Sequence, residues 1–215
     1  MKIKLSVIGI FVIGLFSNAV VAGKTSERLF INAQAVFERS LAGDDSVTGV
    51  ALNQFRILSM TYRDNPLFLA YQGACYTLMG RDAFWSWNKT GYANKGLNII
   101  GKALRMLKPV HDFEKMRGVP ISVETRLVAV STFSEISKSF NHFEKAKAVL
   151  NDLFQSSAFN DSPVPLQARI YRRAAKIALK ENKRDEEIKH LRKILEIDPK
   201  SEFAKMARKR LRKLK

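Results

Sequence analysis

The chain is poor in the residues that carry most site chemistry. Its 215 residues include one cysteine, Cys75, so no internal disulfide can form and packing alone must hold the fold. Cys75 lies in the helical stretch Ala70–Tyr76 and reads as a small core residue. The three histidines, His111, His142 and His190, are far apart, and none has a metal-ligand spacing. No Gly-x-Ser-x-Gly elbow supplies a nucleophile. The sequence therefore predicts no catalytic residues, no metal and no cofactor. Strand-like alternation is absent, and after residue 24 no run is long and apolar enough to span a membrane. Carboxylates are scarce too, with 20 Asp and Glu against 37 Lys and Arg and a net charge of +17.

The one long apolar run stands at the start. Lys2 and Lys4 precede Leu5–Phe16, which only Ser6, Gly9 and Gly14 interrupt. Ser17 and Asn18 end the run, and small residues at Val20-Val21-Ala22 precede Gly23. This is the layout of a secretory signal peptide cut after Ala22, which leaves residues 23–215 as one helical domain in the periplasm or otherwise exported. A retained anchor is the alternative reading, but a core of about 12 residues falls short of the roughly 20 that a spanning helix needs. No cysteine stands at the cut to carry lipid. Export also disfavours nucleic acid, the usual partner of so basic a chain.

The charge is uneven. Residues 164–215 hold 18 Lys and Arg against 7 Asp and Glu, whereas residues 23–163 hold 17 against 13. A basic C-terminal quarter favours acidic partners, an anionic membrane surface or a polyanion. Its densest part, Arg208, Lys209, Arg210, Arg212 and Lys213, reads either as an electrostatic foot or as the solvated end of a helix.

Apolar periodicity predicts nine helices, at 25–42, 46–63, 66–80, 90–108, 121–138, 142–156, 164–181, 184–197 and 200–213. Gly43-Asp44-Asp45 ends the first of them. Asn65 before Pro66 is a cap followed by proline at the first helical position. Ser162-Pro163 and Asp198-Pro199 repeat the device, and Asn141 with Glu144 is spaced as a capping box.

The pairing of helices is more telling than their number. Tyr171, Ala174, Ala175 and Ala178 share one face, Leu191, Ile194 and Leu195 share another, and Pro199 closes the unit. Leu69, Gly73 and Tyr76, followed by Gly96, Ile100, Ala103 and Pro109, mark a second pair. Weaker versions are Ala146, Leu150 and Leu153, and Ala51, Phe55 and Leu58. This spacing resembles the tetratricopeptide repeat, a helix-turn-helix unit of about 34 residues. The match is degenerate, with Glu187 at a usual alanine and Ala175 at a usual glycine. The resemblance implies an all-α, TPR-like helix-turn-helix solenoid. Its last helix, 201–213, would act as a cap with Phe203, Met206, Ala207 and Leu211 inward. It also implies a protein or peptide partner on the concave face, and no catalysis. Nothing in the sequence sets an oligomeric state.

Compared with the standard repeat, the second unit carries an insertion of about eleven residues, Arg81–Gly91. It holds both tryptophans of the chain. Arg81, Phe84, Trp85, Trp87, Lys89 and Tyr92 form the candidate partner-binding cluster, since aromatic and Arg anchors carry disproportionate interface energy. The other reading is that the tryptophans pack down and tie the loop to the helix pair. Gly96–Ala103 imitates a phosphate-binding loop, but Ala103 stands where Ser or Thr is needed and the apolar stripe is helical.

Overall fold

In the computed structural model, the residues described are 11–136 and 142–214. Ten α-helices lie among them: α1 (Phe11–Leu41), α2 (Thr48–Thr61), α3 (Pro66–Asp82), α4 (Ser86–Arg105), α5 (Ile121–Glu135), α6 (Phe143–Gln155), α7 (Ser157–Asn160), α8 (Val164–Lys180), α9 (Arg184–Ile197) and α10 (Glu202–Arg212). The helices pack as the successive antiparallel pairs α1 with α2, α3 with α4, α5 with α6 and α8 with α9; α2 also packs closely on α3, and α10 rests on the last pair. Among the described residues no helix is long and apolar enough to cross a membrane.

The core runs through the molecule as three successive clusters, the first two bridging neighbouring pairs and the third joining the last pair to α10. The first is aromatic: Phe55 stacks on Tyr71 at 4.8 Å, and Phe30 meets Phe55 and Tyr71 edge-on at 6.0 and 5.4 Å. The second gathers Ile100, Val123, Leu127, Phe133, Leu153 and Ile170. The third is small-sided, with Ala168, Ala175, Ala204 and Ala207 around Leu191 and Ile194. Each large side chain so buried contributes about 1.5–3 kcal/mol. Helices in the middle of the stack are covered on several sides, so α5 buries Ile121, Val123, Leu127, Ala129, Val130 and Phe133, which lie all round its axis.

Local chemistry explains several boundaries and corrects others. Asn65 caps α3, its side chain accepting from the Leu67 amide at 3.0 Å, with proline in the first turn. Ser162 does not cap α8. Its hydroxyl donates back to the Ala158 carbonyl at 2.7 Å, and Pro163 takes the cap position. Asp198-Pro199 is likewise displaced, because Ser201 caps α10 by accepting from the Ala204 amide at 3.1 Å. The expected capping box at Asn141 lies outside the described residues. The additional helix, α7, lies between the expected helices at 142–156 and 164–181. α1 starts well before residue 25 and runs without a break across Ala22–Gly23.

The segment between α4 and α5 holds a short hairpin that the absence of alternation concealed. β1 (Lys115–Met116) pairs antiparallel with β2 (Val119–Pro120). Arg117 and Gly118 form its turn at φ 54° and 75°, the two positive values that a two-residue turn of this hand requires.

The largest correction concerns residues 81–91. They are not a loop. α3 continues to Asp82 and α4 begins at Ser86, so the added residues lengthen both helices and leave a three-residue turn, Ala83-Phe84-Trp85. The two backbones come close because glycines face each other: a Cβ on Gly96 would stand 2.5 Å from the Gly73 carbonyl, and one on Gly73 2.7 Å from the Gly96 carbonyl. Gly96–Ala103 is accordingly helix, part of this crossing.

Candidate functional site: the concave groove and the aromatic tip

The first helices of the four pairs line one groove of about 230 Å³. α1 supplies Phe37 and Leu41, and α3 supplies Tyr71, Leu78 and Arg81. α5 supplies Glu124, Leu127, Val128 and Glu135, and α8 supplies Arg169 and Arg173. The floor is apolar and the rim is charged, which suits an amphipathic occupant.

Glu124 is the most buried charge on the floor, 3% exposed. Arg117 from the hairpin grips both of its oxygens at 2.8 and 3.0 Å, the Tyr71 hydroxyl donates to it at 2.8 Å, and the Gln34 amide at 3.3 Å. Arg117 stands in the left-handed turn of the hairpin, and its guanidinium also lies 4.9 Å from the Phe30 ring. Burial first, and the Glu124 charge second, push the Tyr71 hydroxyl well above the usual tyrosine range, so it stays a donor.

The α8 wall is cationic. Arg169, Arg173, Lys176 and Lys180 are spaced 4, 3 and 4 residues apart and so share one face. Arg169 pairs with Glu38 at 3.3 Å. Glu135 is shared by three cations, with Arg173 at 2.5 Å, Lys180 at 3.1 Å and Lys176 at 3.7 Å. Burial would raise the Glu135 carboxyl. The Lys180 hydrogen bond and the charges of Arg173, Lys180 and Lys176 outweigh it and hold the carboxyl below its ordinary value. Three cations against one carboxylate leave the wall with an unneutralised positive charge.

The aromatic cluster lies elsewhere, at the α3–α4 turn. Phe84 is 84% exposed, Trp85 52% and Trp87 67%, so the packed-down reading of the tryptophans does not hold. They pack on one another instead: Trp85 and Trp87 stack at 5.0 Å, and Phe84 meets Trp85 edge-on at 5.0 Å. Lys89 is exposed beside them. Tyr92 stacks on Tyr76 at 6.4 Å, below the tip. Arg81 belongs to a different construction. It donates to the Ser40 carbonyl at 2.8 Å and forks onto Asp82, which also accepts from Thr48 at 3.0 Å, so Arg81 ties the end of α1 to the end of α3 at the groove mouth.

The basic C-terminus divides in the same way. Arg210 grips Glu187 with bonds of 2.6 and 3.0 Å, and this partner explains a buried carboxylate at the usual alanine position. Arg208 donates to the Pro199 carbonyl at 2.9 Å. Lys209, Arg212 and Lys213 are exposed. On the cap helix Ala204 and Ala207 point inward, whereas Met206 stays 48% exposed.

The sequence missed Phe37, Tyr71, Glu124 and Glu135 as groove residues. One signal was available for the wall, the helical spacing of 169, 173, 176 and 180. Cys75 is buried, and burial pushes its thiol far up. Among the described residues no cluster of His, Cys, Asp and Glu is arranged to hold a metal.

No family model matches this chain, and no curated protein matches it. Among solved structures it is similar to a thermophilic TPR protein of Thermus thermophilus, with 19% sequence identity, 94% of each chain covered and a TM-score of 0.57. At that identity the likeness is one of fold. The fold is an all-α, TPR-like helical solenoid.

Proposed function

We propose that this chain is a non-enzymatic, exported scaffold that holds a segment of an acidic protein partner in its concave groove. A TPR fold suggests a protein-interaction scaffold. The observation that carries the finer reading is the α8 wall, where Arg173, Lys176 and Lys180 share Glu135 alone above an apolar floor. Such a wall selects carboxylates, and the floor takes apolar side chains between them. The N-terminal segment supports export.

Photo-crosslinking in cells of the native host tests this. A benzophenone amino acid at Thr77 or Ser131, both in the groove, should trap the same protein. The same group at Asn151, exposed on α6, should not. Charge reversal at Arg173 and Lys176 should reduce the groove adduct. Trapping from Asn151 with none from the groove would sink the proposal. Recovery of a chain beginning at Gly23 from the exported fraction checks the compartment.

The polyanion reading rests on Lys209, Arg212 and Lys213. It requires binding that falls steeply with salt and ignores the groove substitutions.

A further inference from the structure

The second helix of each pair faces away from the groove, and α4 differs from the others in what it presents there. It contains Lys89, Lys95, Lys102 and Arg105 and no carboxylate. None of the four is in an ion pair among the described residues. Trp87, Gly91, Lys95, Asn98, Lys102 and Arg105 fall on one side of the helix, and all are exposed. At about 1.5 Å per residue this face is about 27 Å long, with an aromatic end and a cationic body.

The aromatic end projects. Eight consecutive residues, Phe84 to Gly91, are exposed although six of them are helical. Two carboxylates share a hollow with Phe84 and Asn88 beside it: Asp82, which Arg81 neutralises, and Asp45. The outer face of α4 itself carries three cations, Lys95, Lys102 and Arg105, and no carboxylate.

We infer that the outer face of α4, with the Phe84-Trp85-Trp87 tip, docks on an anionic lipid bilayer. A projecting tip needs a receiving surface, and a bilayer interface accepts rings without a preformed pocket. Tryptophans settle at headgroup depth, with the indole N–H wet and the ring in the acyl boundary. Lys95, Lys102 and Arg105 then face the anionic headgroups, which supply the negative charge that α4 itself lacks. In this orientation the groove, on the opposite side of the pairs, stays open to its protein partner. The site is separate from the groove, and either can exist without the other.

The test uses the full chain and its own fluorescence, because both tryptophans lie at the tip. Vesicles containing phosphatidylglycerol should shift the emission to shorter wavelength, and brominated lipid should quench it. Phosphatidylcholine vesicles should do neither. The triple variant Lys95→Glu, Lys102→Glu, Arg105→Glu should lose affinity by at least about a hundredfold, with its helical circular dichroism unchanged. In a pelleting assay, Trp85→Ala with Trp87→Ala should weaken vesicle binding. Three results overturn the inference: pelleting with vesicles while the tryptophan emission stays unmoved, a shift that the triple variant retains, or an equal shift with phosphatidylcholine. The first assigns attachment to another part of the chain, such as the N-terminal segment. An emission shift produced only by a protein makes the tip a protein contact.

Discussion

α4 and α8 are both rich in cations, and they use them in opposite ways. On α8 the cations face the groove, where Glu38 and Glu135 draw Arg169, Arg173, Lys176 and Lys180 into fixed positions. On α4 Lys95, Lys102 and Arg105 lie on the outer face, Lys95 over the Tyr76 ring at 4.3 Å, with no carboxylate on the helix to meet them. One set forms a wall of defined geometry, held by two carboxylates. The other has no carboxylate to fix it. Charge density alone does not separate the two. The position of the neighbouring carboxylates does.

The comparison breaks most completely if α4 is pushed off α3. Gly96→Val places a side chain where even a Cβ stands 2.5 Å from the Gly73 carbonyl. It should cost about 3 kcal/mol or more in denaturant unfolding, and the outer face of α4 should lose its order. A chain as stable as the parent would show that the crossing is not tight.

Next in size is the pair that anchors the cap. Arg210→Met leaves Glu187, 3% exposed, without its partner and should cost about 3 kcal/mol. Adding Glu187→Ala, the alanine usual in the repeat, should recover most of the loss. Failure of the double variant to recover would assign the loss to packing by the arginine stem.

A smaller effect sharpens the contrast at Glu135. Glu135→Gln removes the shared carboxylate, so the α8 wall becomes more repulsive to itself and more attractive to an acidic peptide. Because Glu135 is half-exposed, stability should fall by less than about 1 kcal/mol at neutral pH. In the parent the lowered carboxyl contributes stability above its ordinary value of 4.5, and this is lost as the pH falls through its folded value. The variant should lack that acid limb.

The smallest effect is that of His190, stacked on Phe154 at 5.7 Å. Burial, then the Lys189 charge, hold its pKa below 6.5. The unfolded chain takes up the proton first, so stability falls as the pH drops from 6.5 towards the folded value. His190→Gln should flatten thermal unfolding curves in that interval.

What the sequence made legible was local or periodic. Asn65-Pro66 announces a helix start because cap and proline act within a few residues. The faces of α8 and α9 are written in their 3.6-residue spacing. What stayed hidden depended on residues far apart in the chain. Ser86–Gly91 looks like loop because Ser, Asn, Thr and Gly are weak helix formers, yet it is helical, propped where Gly80 lets the Lys89 carbonyl come close. Arg81 looked like an interface anchor because it adjoins aromatics, and its actual partners are Ser40 and Asp82. Glu187 looked like an imperfection until Arg210 was placed against it. Glu124 carried no signal, since its partners come from residues 34, 71 and 117.

That last arrangement bears on how the chain folds. A stack of helix pairs ordinarily gains stability from one neighbour at a time, so its ends can fray and its units can nucleate separately. Glu124 links α1, α3, the hairpin and α5, with a span of 90 residues to Gln34. Its charge is satisfied only when all of them have come together. The first three pairs should therefore open and close as one cooperative block, with amide protons that exchange in common. α8 to α10, joined to that block by nearest-neighbour packing and the pairs of Arg169, Arg173 and Lys180, should exchange earlier and on their own.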